Sequence, residues 1–172
     1  MVRVEQLTAE DVGAELPALT ALLLDAVDSG ASVAFLPPLR SNDAREYWME
    51  VIRAFESGNR ILIAAFLHAD LVGSVQLDLA AKPNASHRAE VMKLFVHRKA
   101  RRQGIAKTLM KAVELAAKEA GRHLLVLDTR QGDPSEQLFL SLGYQRAGFI
   151  PRYARSGSGE LHSTVFLYRE LV

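Results

Sequence analysis

Leu94-Phe95-Val96-His97-Arg98-Lys99-Ala100-Arg101-Arg102-Gln103-Gly104-Ile105-Ala106-Lys107-Thr108-Leu109-Met110 reads as an apolar strand end, a basic loop with one glycine, and an amphipathic helix that begins at once. The first amides of an α-helix have no intrahelical acceptor, so such a loop turns several N–H groups toward one point. With the positive end of the helix dipole they form an anion site suited to a diphosphate. Four of the five residues from Arg98 to Arg102 are basic. Each cation at a helix N-terminus opposes the dipole by roughly 0.3–1 kcal/mol, which a bound anion would relieve. The bland alternative is an exposed, charged helix start.

The loop lacks the Lys-Ser/Thr pair of a P-loop and the spaced glycines of a dinucleotide-binding turn. That argues against nucleoside triphosphate hydrolysis and dinucleotide binding. What remains is a loop needing close backbone approach at Gly104 and a small side chain at Ala106.

Working outward, Arg88 to Val96 is a strand run, and Ile105, Leu109, Val113 and Ala116 mark one face of a helix ended by Gly121. Leu124 to Asp128 reads as a short buried strand, and Pro134 to Leu142 as a short helix stopped by Gly143. The chain then shows strands near Tyr144–Phe149 and Ser163–Arg169, with Ser156-Gly157-Ser158-Gly159 in the loop between. Toward the start, Val2 to Leu7 alternates as a strand, and Thr8 with Asp11 forms a weak capping box. One helix follows through Leu16, Leu19, Leu23 and Val27, with Pro17 in its first turn or kinking it. A second spans about Asp43 to Glu56, capped by Ser41 or Asn42 and closed by Gly58. Arg60–His68 and Leu71–Ala80 form a hairpin turning at Ala69-Asp70. The predicted order is β-α-α-β-β-β-α-β-α-β-β, an α/β fold with a mixed sheet, most simply one domain over residues 1–172.

A net charge of +1 gives no global field toward nucleic acid or an acidic membrane, so any positive charge that matters is local. The absence of cysteine removes disulfides, thiolate metal sites and cysteine nucleophiles together. The first residues lack a signal-peptide core, and the apolar run Ala18–Leu24 is too short to span a bilayer. The expectation is a soluble, cytoplasmic protein.

Val96-x-x-x-x-Arg101-x-x-Gly104-x-Ala106 after a strand resembles the acetyl-CoA pyrophosphate loop of the GNAT superfamily of N-acetyltransferases, and the element order matches that fold. Gly30-Ala31-Ser32-Val33, Lys82-Pro83-Asn84, Arg88-Ala89-Glu90-Val91, Leu127-Asp128-Thr129 and Leu161-His162 are similar to the tabtoxin-resistance group within it, over about Val4 to Leu171. The resemblance implies an enzyme of the detoxifying, antibiotic-resistance kind that acetylates a small-molecule primary amine, with acetyl-CoA as co-substrate. It implies a homodimer as the assembly to look for, and no nucleic-acid or membrane partner. Amides from Arg102 through Gln103, Gly104, Ile105 and Ala106 to Lys107 would hold the pyrophosphate, with Arg101 supporting the loop or adding charge. Leu94, Phe95 and Val96 would pair with the pantetheine arm like an added strand. The Val96 amide would polarise the thioester carbonyl.

An ammonium is no nucleophile at neutral pH, so transfer to an amine needs a base. Glu90 lies early on the strand that enters the loop, and Asp128 ends the Leu124 strand; if those strands are neighbours, the two carboxylates converge. The resemblance places the catalytic carboxylates at these two positions. As a bland alternative they are a surface ion pair and a turn residue. Many GNAT enzymes carry a Phe-Tyr pair on the last helix whose tyrosine protonates the departing thiolate. Here the pair is Leu138-Phe139, which leaves water, Tyr144 or Tyr153 for that role. Ser32, between the first two helices, and Trp48, on the second, are candidate acceptor contacts. The five histidines show no metal-ligand spacing, so no metal is expected.

Overall fold

A computed structural model describes residues 1–172. The strands are β1 (Val2–Leu7), β2 (Arg60–Leu67), β3 (Asp70–Leu79), β4 (Arg88–Val96), β5 (Leu124–Arg130), β6 (Gln145–Arg155) and β7 (Leu161–Glu170). The helices are α1 (Ala9–Ala14), α2 (Leu16–Asp28), α3 (Ser41–Phe55), α4 (Ile105–Glu119) and α5 (Pro134–Ser141). One sheet runs in the order β1-β2-β3-β4-β5-β7-β6, and only β4 and β5 pair in parallel. The mixed α/β architecture agrees with the sequence expectation, with one helix more.

The predicted first helix is two. Thr8 and Asp11 close a full capping box, but the helix ends after one and a half turns at Glu15, and α2 begins at Leu16 with Pro17 in its first turn. Proline has no N–H to give, and the first turn of a new helix asks for none. The second predicted helix begins at Ser41, so Ser41 and Asn42 lie inside it. Its N-cap is Arg40, which has no side-chain cap bond but is ion-paired to Asp43 at 2.8 Å. The β2–β3 turn falls at His68-Ala69, one residue early, with His68 at φ 58°.

Two cores sandwich the sheet. On one face Val75, Leu77, Ala89, Val91, Leu125 and Leu127 pack with Ile105, Leu109, Met110 and Val113 of α4. On the other, Leu62, Ala64, Phe66 and Phe95 pack with Leu19, Leu23 and Trp48 of the α1–α3 layer. Val91 and Phe95 lie an even number of residues apart on one strand, which in a regular strand puts both on one face, yet they face opposite cores. The reason is a β-bulge. Gln76 pairs with Met92 and Ser74 with Phe95, so Lys93 and Leu94 stand opposite Val75 alone. Lys93 takes φ 54°, and the alternation beyond it is inverted.

The bulged strand then parts from β5. Pairing covers only Arg88–Glu90 against Leu124–Val126, so the β5-facing edge of β4 beyond Glu90 opens. Gly73 makes close packing possible here: a Cβ would lie 2.9 Å from the Phe95 carbonyl oxygen and 3.1 Å from a Leu109 methyl. Gly73→Ala should therefore cost about 1–3 kcal/mol through overpacking. The reading is a lower urea midpoint at unchanged slope; an unchanged midpoint counts against this packing.

Candidate active site

The loop from His97 to Gly104 is built by backbone geometry and two arginines. Arg102 and Gly104 both take left-handed conformations, at φ 61° and 77°, and Gly104 is the N-cap of α4 with no side-chain cap. The amides from Arg102 to Lys107 make no hydrogen bond within the protein, and the first intrahelical bond at this end is Thr108 N–H to the Gly104 carbonyl. Residues Arg101 to Gly104 are exposed. A Cβ at Gly104 would meet nothing within 4 Å, so glycine serves the backbone angle there rather than space.

The basic run is less free than its composition suggests. Arg98 is spent on α2: its amide and Nε donate to Asp25 at 2.9 and 2.6 Å, and Nη2 reaches Asp28 at 3.3 Å. Burial pushes the Asp25 carboxyl up, but the Arg98 bonds prevail and hold it below the usual range. Arg101 supports the loop, with Nε donating to the Val96 carbonyl at 3.0 Å and Nη2 to Ser29 Oγ at 2.7 Å. Lys99, Arg102 and Lys107 are left exposed without ion pairs.

Between the parted strands lies a cleft of about 350 Å³. Its walls include Met92, Lys93 and Leu94 of β4, Leu127 to Thr129 of β5, and the Ala31–Ala34 loop after α2. Glu90 and Asp128 both line it. Glu90 is in register with Val126, so Asp128, two residues on, points to the same face, away from the α4 core. Burial pushes the Glu90 carboxyl above its usual range, and the negative charges of Asp128 and Asp78 push it further. Burial also raises Asp128, an exposed residue on the cleft wall, and the charge of Lys93 opposes the rise. A carboxyl so raised is a better proton acceptor than a surface one, which is what general-base work requires.

Several wall residues carried no sequence signal. Thr129 Oγ1 and Ser135 Oγ lie 2.6 Å apart and tie the end of β5 to α5. Asp133, raised by burial, occupies the N-cap position of α5 without a side-chain cap bond, and buried Glu136 accepts from the Gly132 amide and from Arg146 Nε, each at 2.7 Å. The Asp-Pro step ahead of α5 was the available hint. Lys93 gave none, because a lysine in a strand run reads as a solvent-facing residue.

Of the other sequence candidates, Ser32 is exposed on the cleft wall. Trp48 is not an acceptor contact: it is fully buried, with its ring edge-on to Tyr47 at 5.2 Å and Phe95 at 6.4 Å. Phe95 side-chain packing agrees with a backbone-only role for its strand. Phe139 is buried and borders the cleft. Tyr144 is buried in the α4 core and lines no part of the cleft, while Tyr153 lines it, edge-on to Phe166 at 5.5 Å. A shallower hollow of about 270 Å³ beside Pro37–Leu39 holds the Arg98–Asp25 pair. No cluster of three or more His, Asp or Glu side chains is arranged to hold a metal ion, and no helix is long and apolar enough to cross a membrane.

This chain belongs to the Acetyltransferase (GNAT) family, whose family model matches residues 27–144. An uncharacterized N-acetyltransferase from the hisH–hisA intergenic region of Azospirillum brasilense is 34% identical over 109 residues. That match spans 62% of this chain and 63% of the relative's length. Among solved structures, an N-acetyltransferase from Staphylococcus aureus Mu50 superposes with a TM-score of 0.83 at 18% identity, covering 100% of this chain and 99% of that one. The yncA protein of Salmonella typhimurium, solved with its cofactor acetyl-CoA, superposes with a TM-score of 0.81 at 16% identity over 100% and 95% of the two chains.

The free amides and the left-handed cap suit the diphosphate of CoA. A left-handed conformation costs a residue with a Cβ roughly 1–2 kcal/mol; in Gly104→Ala this exposed loop sheds the cost by relaxing, so thermal stability changes little, and CoA binding, which must restore the conformation, weakens about tenfold in calorimetry. Undiminished affinity would count against this loop as the diphosphate site.

Proposed function

We propose that the chain is an acetyl-CoA-dependent N-acetyltransferase for a small-molecule primary amine. The observation that carries this is the convergence of Glu90 and Asp128 in the cleft beside the open edge of β4. When bound, acetyl-CoA supplies an acetyl group on a good thiol leaving group. The amides of Arg102, Gln103, Gly104, Ile105, Ala106 and Lys107 receive its phosphates, with Arg101 holding the loop they sit on. The strand edge at Leu94, Phe95 and Val96 offers backbone partners to its amide-bearing arm. The Val96 amide polarises the carbonyl.

Glu90 and Asp128 take the proton from the incoming ammonium, directly or through water. Ser32 is an acceptor contact. Phe139 offers no proton to the departing thiolate; Tyr153, which shares the cleft, or water supplies it. The similarity of the Gly30–Val33 and Leu127–Thr129 segments to the tabtoxin-resistance group favours a toxin or antibiotic acceptor such as a tabtoxinine-like amino acid. Phe139 also supports a second reading, a CoA-binding module whose catalysis has lapsed. CoA release from acetyl-CoA with a panel of amines separates the two: tight binding without release for any amine favours the module.

Both carboxyls are raised, and only their ionised forms accept a proton. The rate therefore falls as pH drops through their folded pKa values, in a window above the ordinary carboxylate range. Glu90→Gln and Asp128→Asn should each lower kcat/KM by about 10²–10⁴-fold near neutral pH, with acetyl-CoA affinity retained. Rates like those of the unmodified protein would remove that residue as base.

A further inference from the structure

Lys93 is the one cation on the walls of the active-site cleft, and the acetyl-transfer reading above gives it no task. It occupies the bulge itself, in a left-handed conformation that a β-rich sequence ordinarily leaves to glycine. Its Nζ donates to the Val33 carbonyl at 2.9 Å and lies 5.8 Å from the centre of the Phe35 ring. The bulge is thereby fastened to the loop that forms the opposite wall, where Ala34 is also left-handed at φ 71°.

No carboxylate comes within ion-pair distance of this ammonium. The charged groups that face it are Glu90 from β4, Asp128 from β5 and Arg60 from β2, while Asp78 of β3 bears on Glu90. The α2–α3 loop brings only the Val33 carbonyl and the Phe35 ring. Two carboxylates lining one cleft each favour the protonated form of the other, which leaves less of the pair ionised as base. An ammonium on the same cleft walls opposes that tendency in both. Burial favours a neutral Lys93, and the charges of Asp128 and Glu90 resist it.

We propose that Lys93 is a positioning residue that pins the Ala31–Ala34 wall through the Val33 carbonyl and keeps Glu90 and Asp128 ionised together. The catalytic use of that ionisation rests on the acetyl-transfer reading; the electrostatic coupling does not.

Two measurements test it. The pH profile of kcat/KM for Lys93→Gln should have its acid limb moved to higher pH, so that the loss is about tenfold at pH 6 and shrinks toward pH 8.5, whereas Lys93→Arg keeps the limb in place. Equal loss at every pH would make Lys93 a strut alone and overturn the proposal. The chain has no cysteine, so Lys93→Cys alkylated with 2-bromoethylamine restores an ammonium at this position only. The limb should return with it, and a limb that stays displaced counts against the proposal. Should Lys93→Gln not fold, Lys93→Met, an unbranched neutral chain one atom shorter than lysine, carries the same comparison.

Carbon-13 titration of the Glu90 and Asp128 carboxyls needs no acceptor. Higher midpoints in Lys93→Gln support the coupling, and unchanged midpoints overturn it. If no amine in the panel is acetylated while the midpoints move, the acetyl-transfer reading fails and the coupling stands.

Discussion

The bulge at Lys93 is the constraint on which the site depends. One extra residue on β4 inverts its alternation, so Val91 faces α4 while Phe95 faces Trp48 and the α1–α3 layer. A regular strand with this sequence would put Phe95 into the α4 core and an ammonium beside it. The bulge sends the aromatic ring to one core and the lysine to the cleft. Past it β4 leaves β5, and the sheet gains an internal edge where backbone groups stand ready for a ligand.

That edge would be of little use without supports on both sides. On one side Gly73 admits the Phe95 carbonyl and Leu109 at short range, which seats α4 against the strand it follows. The α4 N-terminus is thus fixed just beyond the strand end, with Arg101 bridging the Val96 carbonyl and Ser29. On the other side Glu136 and the Thr129–Ser135 pair hold the turn after Asp128. Donor loop, strand edge and carboxylates therefore sit on elements whose positions are set by packing rather than by the loops' own preferences.

The fold was largely legible because its signals are local. Helical periodicity in α4, the run from Arg88 to Val96 and the glycine-stopped α5 all follow from spacing that side-chain burial enforces. Splitting α1 from α2 was missed because Pro17 suits either a first turn or a kink, and tertiary contacts decide. The convergence of Glu90 and Asp128 depends on β4 and β5 being neighbours, which neither residue's local sequence states. The burial of Trp48 is not legible in sequence, because an aromatic residue on an amphipathic helix carries no mark of which face is buried deepest. The bulge left no trace, since nothing in Met92-Lys93-Leu94 announces a left-handed residue; it arises from registry with β3. The same holds for Arg98 and Arg101, whose partners on and just after α2 lie about seventy residues away in sequence.

The central claim is that the gap opened by this bulge, together with the α4 N-terminus, receives the donor. Amide chemical shifts during titration with CoA test it most directly. The perturbed and newly protected amides should fall at residues 91–96 and 102–107, while Arg88 to Glu90, already paired to β5, stay as they were. Perturbation centred elsewhere, for example along the exposed β6 edge, with the β4 gap and the α4 start silent, would contradict it.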